Sequence, residues 1–369
     1  MSTVFFAGGG TGGHLYPGLA IARALVRQRG DARPYFIGAV RGIEREVLPK
    51  EPFPYELLDL HPLYRPRIWN NWKTAAGAVS AWRTLGRVAA KEQPGLIVGT
   101  GGYASGLALA FGVRMGIPIV EQIADSYPGL TARLFARFSE ELYLGYPEAA
   151  RLLRRGARTR VVDSGCPIEP PPSRRPDARA ARAAWDLPAD GTVLLVFGGS
   201  QGARALNAVV DAWIARGIPE GLSIIWGTGR SHYDAHAQRE GPRVRVRPYL
   251  SPIADAYAAS DAAVTRAGAV TTAELCAWGL PMILVPLPTA AADHQTANAR
   301  ALASAGAAVH LAQASLTVDV LDRAVRDVVL DVGTRATVAA AALARGRPHA
   351  AETIAARILT LLDHEVVAS

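Results

Sequence analysis

Two short glycine-rich loops, each directly after an apolar strand, constrain this chain more than any other feature. The first spans residues 8–14 (GGGTGGH) after a strand at 4–7, and the second spans residues 198–202 (GGSQG) after a strand at 193–197. Glycine lets the backbone approach a ligand closely, and the N–H groups at the start of the following helix attract anions. The repeated unit predicts two similar α/β domains facing one cleft and a phosphate-bearing substrate.

Length and charge bound the class of protein. At 369 residues, of which 50% are hydrophobic, the chain is long enough for two domains of ordinary size. Its formal net charge of +8 favours anionic partners, such as phosphates, nucleic acid or an acidic membrane surface, without choosing among them. The two cysteines, Cys166 and Cys276, exclude a secreted disulfide scaffold and a zinc site built from cysteine spacing.

The sequence predicts neither a signal peptide nor a membrane span. Met1-Ser2-Thr3 runs directly into a strand, without a basic segment or a cleavage site. No window of about 20 apolar residues is free of charges and turn signals. We therefore expect a cytoplasmic protein, for which peripheral contact with a membrane stays open.

Strands and helices alternate along both halves, which predicts doubly wound parallel sheets that bind ligands at the carboxyl ends of their strands. In the first half we expect strands at 4–7, 33–37, 95–99 and 118–120 and helices at 17–29, with Pro17 in the first turn, and 107–115. In the second half we expect strands at 193–197, 222–226, 244–246, 262–264 and 282–285 and helices at 177–185, 203–216, 271–278 and 295–305.

A proline-rich stretch at 165–172 (GCPIEPPP) divides the two halves. Proline runs form poor core elements and good semi-rigid linkers. We therefore predict an N-terminal domain at 1–164, a linker at 165–176 and a C-terminal domain at 177–346. The apolar, helically spaced tail predicts a closing helix within 347–369, which could pack back on the N-terminal domain.

The first glycine loop matches neither of the common nucleotide motifs. No Gly-Lys-Ser/Thr follows it, and the next strand does not end in an acidic residue, so P-loop chemistry and nicotinamide binding are disfavoured. The loop could also be no more than a tight connection between strand and helix. His14 lies where a substrate can reach it. It could act as a general base, as a hydrogen-bond donor to a phosphate or as a helix cap.

Two later clusters suit a nucleotide sugar. In the segment 265–274, Arg266 can pair with phosphate, Gly268 allows close backbone approach, and Glu274 can accept both hydroxyls of a ribose. In the segment 286–298, Asp293, His294 and Gln295 offer hydrogen bonds to sugar hydroxyls. The alternatives are a partner of the helix dipole for Glu274 and a helix N-cap for Asp293.

Two further features complete the residue-level interpretation. No Asp-x-Asp pair follows a strand to hold a divalent metal, so a leaving diphosphate would be stabilised by Arg266, backbone N–H groups and helix ends. The segment 61–73 mixes cations with Trp and Tyr, which favours an acidic lipid surface as much as an ordinary loop followed by an amphipathic helix.

Six motifs, in order over nearly the whole chain, resemble the MurG family of UDP-N-acetylglucosamine transferases (glycosyltransferase family 28). They are GGTGGH at 9–14 with PGLA at 17–20, GGYASG at 101–106, PGLT at 128–131, GGSQGA at 198–203, RAGA at 266–269 with Glu274, and DHQT at 293–296 with Asn298. Single motifs are weak, but six at fitting spacing are highly specific. The resemblance implies a GT-B fold, with two Rossmann-like domains facing a central cleft and the donor held mainly by the C-terminal domain.

The activity implied by the resemblance is an inverting, metal-independent transfer of GlcNAc from UDP-GlcNAc to the 4-hydroxyl of the muramyl sugar of lipid I (undecaprenyl-pyrophosphoryl-MurNAc-pentapeptide). The products would be UDP and lipid II, a precursor of peptidoglycan. No cofactor, metal or nucleic acid is expected. The implied location is the cytoplasmic face of a bacterial membrane, where residues 63–72 fall in the region with which the family contacts the anionic inner surface.

The resemblance also implies roles for individual residues. On the donor side, Glu274 holds the ribose, Ser200 and Arg266 lie near the diphosphate, Tyr249 and Leu250 lie near the uracil, His294 and Gln295 read the GlcNAc, and Gln201, Gly268 and Ala269 complete the set. The acceptor side comprises Thr11, Gly12, Gly13, His14, Gly102 and Tyr103. His14 and Asp125 are the catalytic candidates, as alternative bases.

Two segments depart from the family pattern. Family members carry a His/Gln-Glu-Gln-Asn segment before Pro-Gly-Leu-Thr; without a gap Ile123 replaces the acid and Asp125 the amide, whereas a shifted gap retains Glu121 and Gln122. In the hinge, Glu169 ends the segment 165–169 where the family often has a cation. The alternative functions are a GT-B transferase for another lipid or natural product, a UDP-GlcNAc 2-epimerase-like enzyme, and a non-catalytic UDP-sugar-binding module.

Overall fold

A computed structural model describes residues 3–60, 71–199 and 202–368 of the chain. The chain divides into two compact units. Unit 1 comprises Met1–Glu169 together with His349–Ser369, and unit 2 comprises Pro170–Pro348. Within the described residues, no helix combines the length and the apolar character needed to cross a membrane.

Unit 1 is built on a parallel sheet of seven strands in the order β3-β2-β1-β4-β5-β6-β7. The strand order reverses direction between β1 and β4, which pair directly, so these two strand ends form the switch point of the sheet. The strands are β1 Thr3–Gly8, β2 Arg33–Ala39, β3 Tyr55–Leu58, β4 Pro94–Gly101, β5 Ile119–Ile123, β6 Glu141–Leu144 and β7 Arg160–Val162.

Helices cover both faces of this sheet, because successive side chains of a buried strand point to opposite faces. Val4 and Phe6 pack in one apolar cluster with the first and last helices of the chain, whereas Phe5 and Ala7 pack in another with the third and fourth helices. The helices of unit 1 are α1 Gly12–Gln28, α2 Glu44–Val47, α3 Asn71–Glu92, α4 Gly102–Met115, α5 Leu130–Phe135 and, at the end of the chain, α13 Ala350–Ala368.

The last helix, α13, is an integral part of unit 1. Its buried residues Ile354, Ile358 and Leu362 lie in the same cluster as Leu15 and Leu19 of α1. Two ion pairs flank this packing. The Arg357 guanidinium bonds the buried carboxylate of Glu141 at 2.6 and 2.5 Å, and Arg29 bonds Asp363 at 2.8 and 2.6 Å.

Unit 2 repeats the architecture with a parallel sheet of six strands in the order β10-β9-β8-β11-β12-β13. Its switch point lies between β8 and β11, which pair directly. The strands are β8 Thr192–Phe197, β9 Leu222–Gly227, β10 Val244–Arg247, β11 Ala262–Thr265, β12 Met282–Leu284 and β13 Ala308–His310. The helices are α6 Ala178–Ala183, α7 Arg204–Arg216, α8 Ile253–Ala259, α9 Ala269–Trp278, α10 His294–Ser304, α11 Val318–Val325 and α12 Val332–Arg345.

The two parallel α/β sheets confirm the predicted fold class. The expected start of the first helix is wrong: α1 begins at Gly12, so Pro17 lies inside it rather than in its first turn. Glycine and histidine in 12–14 have poor helix propensity, but the dense packing of α1 on the sheet outweighs that cost. The segment 61–70 lies outside the described residues, and of 71–73 only the helical backbone is described.

Candidate functional site

The first glycine loop is closed by its own hydrogen bonds. The N–H of Gly9 donates to the carbonyl of Gly101 at 3.2 Å, and the N–H of Gly10 donates to Oε1 of Glu44 at 2.8 Å. The helix α1 then starts at Gly12 without a side-chain cap from Thr11. Since the first N–H groups of a helix have no partner one turn earlier, those at the start of α1 are the groups with which this loop could hold an anion.

The loop at the end of β4 packs directly against the first loop. Gly102 has a φ of +81°, which favours glycine, and a Cβ at this position would lie 2.1 Å from the carbonyl oxygen of Gly9. The hydroxyl of Thr131, at the start of α5, donates to the carbonyl of Gly102 at 3.4 Å. The structure therefore brings the predicted acceptor residues of the two loops together at the switch point of the first sheet.

The side chain of His14 lies between the first glycine loop and the end of β4. Its Nδ1 is 3.2 Å from the carbonyl oxygen of Gly9 and 3.3 Å from the hydroxyl of Thr11. Because a carbonyl can only accept, we assign the proton of the neutral ring to Nδ1, and Nε2 then carries the lone pair. A Cβ on Gly101 would lie 2.6 Å from Cδ2 of this ring, so the absent side chain at 101 makes room for the imidazole.

Tyr103 stands beside the same loop, at the start of α4. Its ring is 3.2 Å from the place that a Cβ of Gly10 would occupy. Burial raises the pKa of this phenol above its usual value of 10.0, and the negative charge of Glu44 raises it further. The hydroxyl therefore stays protonated near neutral pH and is able to donate a hydrogen bond.

Two acids, Glu121 and Asp125, lie in and after β5, and only one of them lies where it could face an acceptor. Ile123 is buried among Leu142 and Leu144, so it belongs to the core. Glu121 is buried within the strand, where its Oε1 accepts a hydrogen bond from the Ser139 hydroxyl at 3.0 Å and burial raises its pKa to about 8. Of the acids in this segment, half-buried Asp125 is the one that lies at the carboxyl end of the sheet.

A cavity of about 240 Å³ opens at the carboxyl ends of β8 and β9 in unit 2. Tyr249 and Leu250, the expected uracil contacts, both line it, and the Arg230 guanidinium lies 5.4 Å from the centre of the Tyr249 ring. The lining combines apolar and aromatic side chains with glycine backbone, as a flat heterocycle requires. The lining residues are Phe197, Gly199, Gly227, Gly229, Pro248, Tyr249, Leu250, Ser251, Ile253 and Thr271.

The second glycine loop borders this cavity. Gly199 lines it, and in the part of the chain that the structure describes a Cβ on that residue would meet no atom within 4 Å. The N–H of Gly202 donates to the carbonyl of Gly199 at 3.0 Å, which forms a tight turn before α7. Ser200 and Gln201, the expected donors to the diphosphate, lie outside the described residues.

The start of α9 presents backbone N–H groups next to the end of β11. Gly268 is the N-cap and Ala269 the first helical residue, and a Cβ on Gly268 would contact none of the described residues within 4 Å. Helix starts of this kind attract anions. Gly268, Ala269 and the cavity-lining Thr271 therefore lie within the first turn of α9, whose backbone N–H groups could hold an anion.

Glu274 follows Thr271 by three positions, so the two side chains lie on the same face of α9. The hydroxyl of Tyr257, in α8, donates to its Oε2 at 2.8 Å. Burial raises the pKa of Glu274 to about 7, against the opposing effect of that hydrogen bond. The hydrogen bond from Tyr257 thus holds this carboxyl against α8.

Arg266 is buried immediately before the α9 start. Its Nη1 donates to the carbonyls of Val285 and Pro286 at 2.9 and 3.1 Å, and its Nη2 donates to Oε1 of Gln313 at 2.7 Å. All three acceptors are neutral, so these contacts leave the positive charge uncompensated. Desolvation accordingly lowers the pKa of the guanidinium from its usual 12.5.

The loop between β12 and α10 carries the predicted sugar-reading residues. His294 is the first residue of α10, and its Nδ1 lies 2.7 Å from the carbonyl oxygen of Ala291. The amide oxygen of Gln295 accepts the N–H of Leu287 at 2.9 Å, so this side chain also orders the loop. Asp293 occupies the N-cap position of α10, as the alternative expects, but its side chain does not bond the backbone of the helix; its Oδ1 instead accepts the Thr296 hydroxyl at 2.6 Å.

Reasoning from sequence missed four residues that organise the two switch points: Glu44, Tyr257, Thr271 and Gln313. The hydrogen-bond partners of Glu44, Tyr257 and Gln313 lie 34, 17 and 47 positions away in the chain. No local spacing in the sequence indicates such pairs. In the described part of the chain no group of three His, Cys, Asp or Glu side chains is arranged to hold a metal ion.

Comparison with protein families gives two matches that together span most of the chain. The glycosyltransferase family 28 N-terminal domain matches residues 4–144, and the glycosyltransferase family 28 C-terminal domain matches residues 193–354.

Two curated relatives share the length of the chain. Proteins of Salinibacter ruber and Syntrophotalea carbinolica are 39% and 37% identical over 367 and 360 residues, which cover 98% and 95% of this chain and 97% and 96% of theirs. Both are named UDP-N-acetylglucosamine--N-acetylmuramyl-(pentapeptide) pyrophosphoryl-undecaprenol N-acetylglucosamine transferase. Among solved structures, MurG of Acinetobacter baumannii has a TM-score of 0.79 at 24% identity, covering 97% of this chain and 99% of that one, which supports the GT-B fold.

Proposed function

The chain belongs to glycosyltransferase family 28, and on that premise we propose that it transfers GlcNAc from UDP-GlcNAc to the 4-hydroxyl of the muramyl sugar of lipid I, with inversion. The products are lipid II and UDP. The relatives named for this reaction, which match at 39% and 37% identity over nearly the whole chain, support the substrate pair.

The observation that carries the proposal is the donor half of unit 2. A cavity lined by Tyr249 and Leu250 accepts the uracil, and the carboxyl of Glu274, on the α9 face that Thr271 shares, accepts the ribose hydroxyls. The N–H groups at the start of α9 and of the second glycine loop receive the diphosphate. His294 and Gln295 then read the GlcNAc.

In the proposed reaction the muramyl hydroxyl attacks the anomeric carbon of GlcNAc from the face opposite UDP, and the bond to the UDP oxygen breaks with its electron pair on the diphosphate. Either His14, through Nε2, or Asp125 takes the hydroxyl proton. Positive charge on Arg266 and the α9 N–H groups stabilise the leaving diphosphate without a metal. The acceptor diphosphate and sugar lie against Thr11, Gly12, Gly13, Gly102 and Tyr103.

A lipid-linked acceptor places the enzyme at a membrane. We propose peripheral contact with the anionic cytoplasmic surface of a bacterial membrane. The charged and aromatic segment 61–73 is the candidate contact, and its sequence supports this because Trp and Tyr prefer the headgroup level.

The test is incubation of the purified protein with UDP-GlcNAc and a lipid I analogue, with and without EDTA. UDP release that needs the lipid and survives EDTA is expected. UDP-ManNAc formed without an acceptor would instead identify an epimerase, and UDP release with a different lipid alone would change the acceptor.

Glu274→Ala sharpens the donor assignment. We expect the donor KM to rise about 10- to 100-fold, because hydrogen bonds from ribose hydroxyls to a charged group are lost. Glu220→Ala, at an exposed carboxylate of the same unit, is the control. Unchanged donor kinetics in Glu274→Ala would remove Glu274 from the donor site.

A further inference from the structure

Glu44 is a buried acid that neither the sequence motifs nor the proposed mechanism uses. It is the first residue of the short helix α2, and its side chain has no exposed surface. A fully buried carboxylate is costly unless hydrogen bonds or charges compensate it. Oε1 accepts the N–H of Gly10 at 2.8 Å, whereas Oε2 has no hydrogen-bond partner among the residues that the structure describes.

Glycines in two loops leave room for this carboxylate, because they have no side chain. A Cβ on Gly9 would lie 1.2 Å from Oε1, and a Cβ on Gly42 would lie 1.7 Å from Oε2. Gly38, inside β2, is packed less tightly, because its Cβ would approach Cβ and Cγ of Glu44 to 3.0 Å. The side chain therefore fills the junction between the loop after β1 and the loop after β2.

What the carboxylate holds is the part of the first loop that faces the acceptor residues. The ring of Tyr103 lies 3.2 Å from the place that a Cβ on Gly10 would occupy. The carbonyl of Gly9 orients His14 and contacts Gly102. Without an acceptor for its N–H, the Gly9–Gly10 peptide would be free to turn. The positions of the Tyr103 and His14 side chains depend on that peptide.

We propose that Glu44 is a positioning residue for the acceptor half of the reaction: by accepting the Gly10 N–H it fixes the first glycine loop against Tyr103 and His14. The inference rests on the proposed function for the identity of the acceptor. It assigns Glu44 no contact with substrate, because its oxygens are buried beneath the loop.

The main experiment compares Glu44→Ala with Glu44→Gln in the full-length protein. Glu44→Ala removes the hydrogen bond, and we expect the KM for the lipid I analogue to rise about tenfold or more with the donor KM within about twofold of wild type. Glu44→Gln keeps an acceptor oxygen for Gly10 and should restore the acceptor KM to within about threefold of wild type. Glu46→Gln, at an exposed acid of the same helix, should match wild type.

A double-mutant cycle with Gly42 makes the test independent of simple loss of fold. The atoms closest to a Cβ at 42 all belong to Glu44, so Gly42→Ala should displace the carboxylate and raise the acceptor KM in the wild-type background. In the Glu44→Ala background these three atoms are gone, and the same substitution should have no further effect. Additive effects of the two substitutions would overturn the proposal.

Hydrogen exchange separates the proposal from the assigned reaction. The Gly10 amide should be protected in wild type and in Glu44→Gln and exchange at least about tenfold faster in Glu44→Ala, whether or not lipid I is the acceptor. If wild type fails to use lipid I but these exchange rates hold, the proposed function fails and the positioning role stands. Equal rises in the donor and acceptor KM, no change in Gly10 exchange, or a Gln variant as impaired as the Ala variant would each overturn the role of Glu44.

Discussion

The loops after β1 and β8 occupy equivalent places in two sheets of the same strand order, yet they are built in opposite ways. The first is closed: its glycine N–H groups bond Gly101 and the buried carboxylate of Glu44. The second borders an open cavity, and a Cβ added at Gly199 or Gly268 would meet no atom of the described residues within 4 Å. The buried charge at the second switch point, on Arg266, is positive.

This difference shows that topology fixes where loops meet but not what they bind. Both switch points gather strand ends and helix starts. A switch point with an open cavity and an uncompensated positive charge nearby suits an anion that must bind and dissociate, such as a nucleoside diphosphate. A loop held from behind by its own acid suits the orientation of side chains. Four substitutions can break or sharpen this comparison.

The largest effect should come from closing the tight contact of the first loop. Gly102→Ala places a Cβ 2.1 Å from the Gly9 carbonyl, so the loop must move. We expect kcat/KM for the acceptor to fall about 100-fold, since misplacement of reacting groups by about 1 Å costs that much. The measurement is steady-state kinetics with the acceptor varied at saturating donor.

Gly116→Ala is the matched control for this prediction. Gly116 is the C-cap of the same helix, α4, and also has a positive φ, of +72°, but a Cβ there meets no atom of the described chain within 4 Å. It should lower the melting temperature slightly and leave the acceptor kinetics unchanged. Equal losses of activity in the two variants would mean that backbone strain, not the contact with Gly9, explains the defect.

The positive charge of the second switch point is tested by Arg266→Gln. We expect affinity for UDP to fall about tenfold or more while affinity for uridine changes little, because only the diphosphate gains from the charge. Calorimetric titrations with both ligands give the ratio, and Arg300→Gln, at an exposed position on α10, is the control. If both affinities fall equally, Arg266 acts through the loop that it holds at Val285 and Pro286 and not on the diphosphate.

The acidity of Glu274 gives a pH dependence to the donor side. Because burial raises its pKa to about 7, the carboxyl is mostly protonated at pH 6 and mostly ionised at pH 8, where it accepts ribose hydroxyls best. The donor KM should therefore fall by up to about tenfold between pH 6 and pH 8. Glu274→Gln should flatten this profile, and a Gln variant with the wild-type profile would assign the titration to another group.

The smallest effect concerns Glu121, a buried acid of the first sheet whose pKa is raised and to which no ligand contact is assigned. Its pKa is about 8 in the folded protein and 4.5 as its ordinary value, so its contribution to stability is complete below pH 4.5 and lost as the pH rises through 8. Glu121→Gln should gain a few degrees in melting temperature relative to wild type between pH 5 and pH 9, roughly as expected for about 1 kcal/mol. Glu140→Gln, at the exposed neighbouring acid, should not, and activity should be unaffected in both.

Much of the fold could be predicted because strands such as those at 4–7 and 193–197 are short apolar runs bounded by glycine. Four strands and several helices were missed. The strands β7 and β13 have three residues each, too few to show a period, and β13 includes a histidine. The start of α1 was placed five residues late, because glycines argue against a helix locally while tertiary packing decides it.

The candidate site was predictable where it depends on strand ends and not where it depends on contacts behind them. The family resemblance directs attention to Tyr249 and Leu250, which both line one cavity, and the motifs single out Gly268 and Glu274, which lie at the start of α9 and within it. Glu44 could not be derived, since its bond to Gly10 crosses 34 positions and its local signal is only the flanking pair Gly38 and Gly42. The neutral acceptors of Arg266 were equally hidden, because carbonyl groups leave no mark in a sequence.

The packing of α13 on α1 has a consequence for folding during synthesis on the ribosome. Unit 1 begins at the first strand but takes its last apolar layer from residues beyond 349, so unit 2 is synthesised before unit 1 has all its parts. While the ribosome is still translating unit 2, the face of α1 that carries Leu15 and Leu19 lacks its natural cover. A fragment that stops at the linker would carry the same bare face, whereas a permuted chain that starts with α13 would supply that cover first.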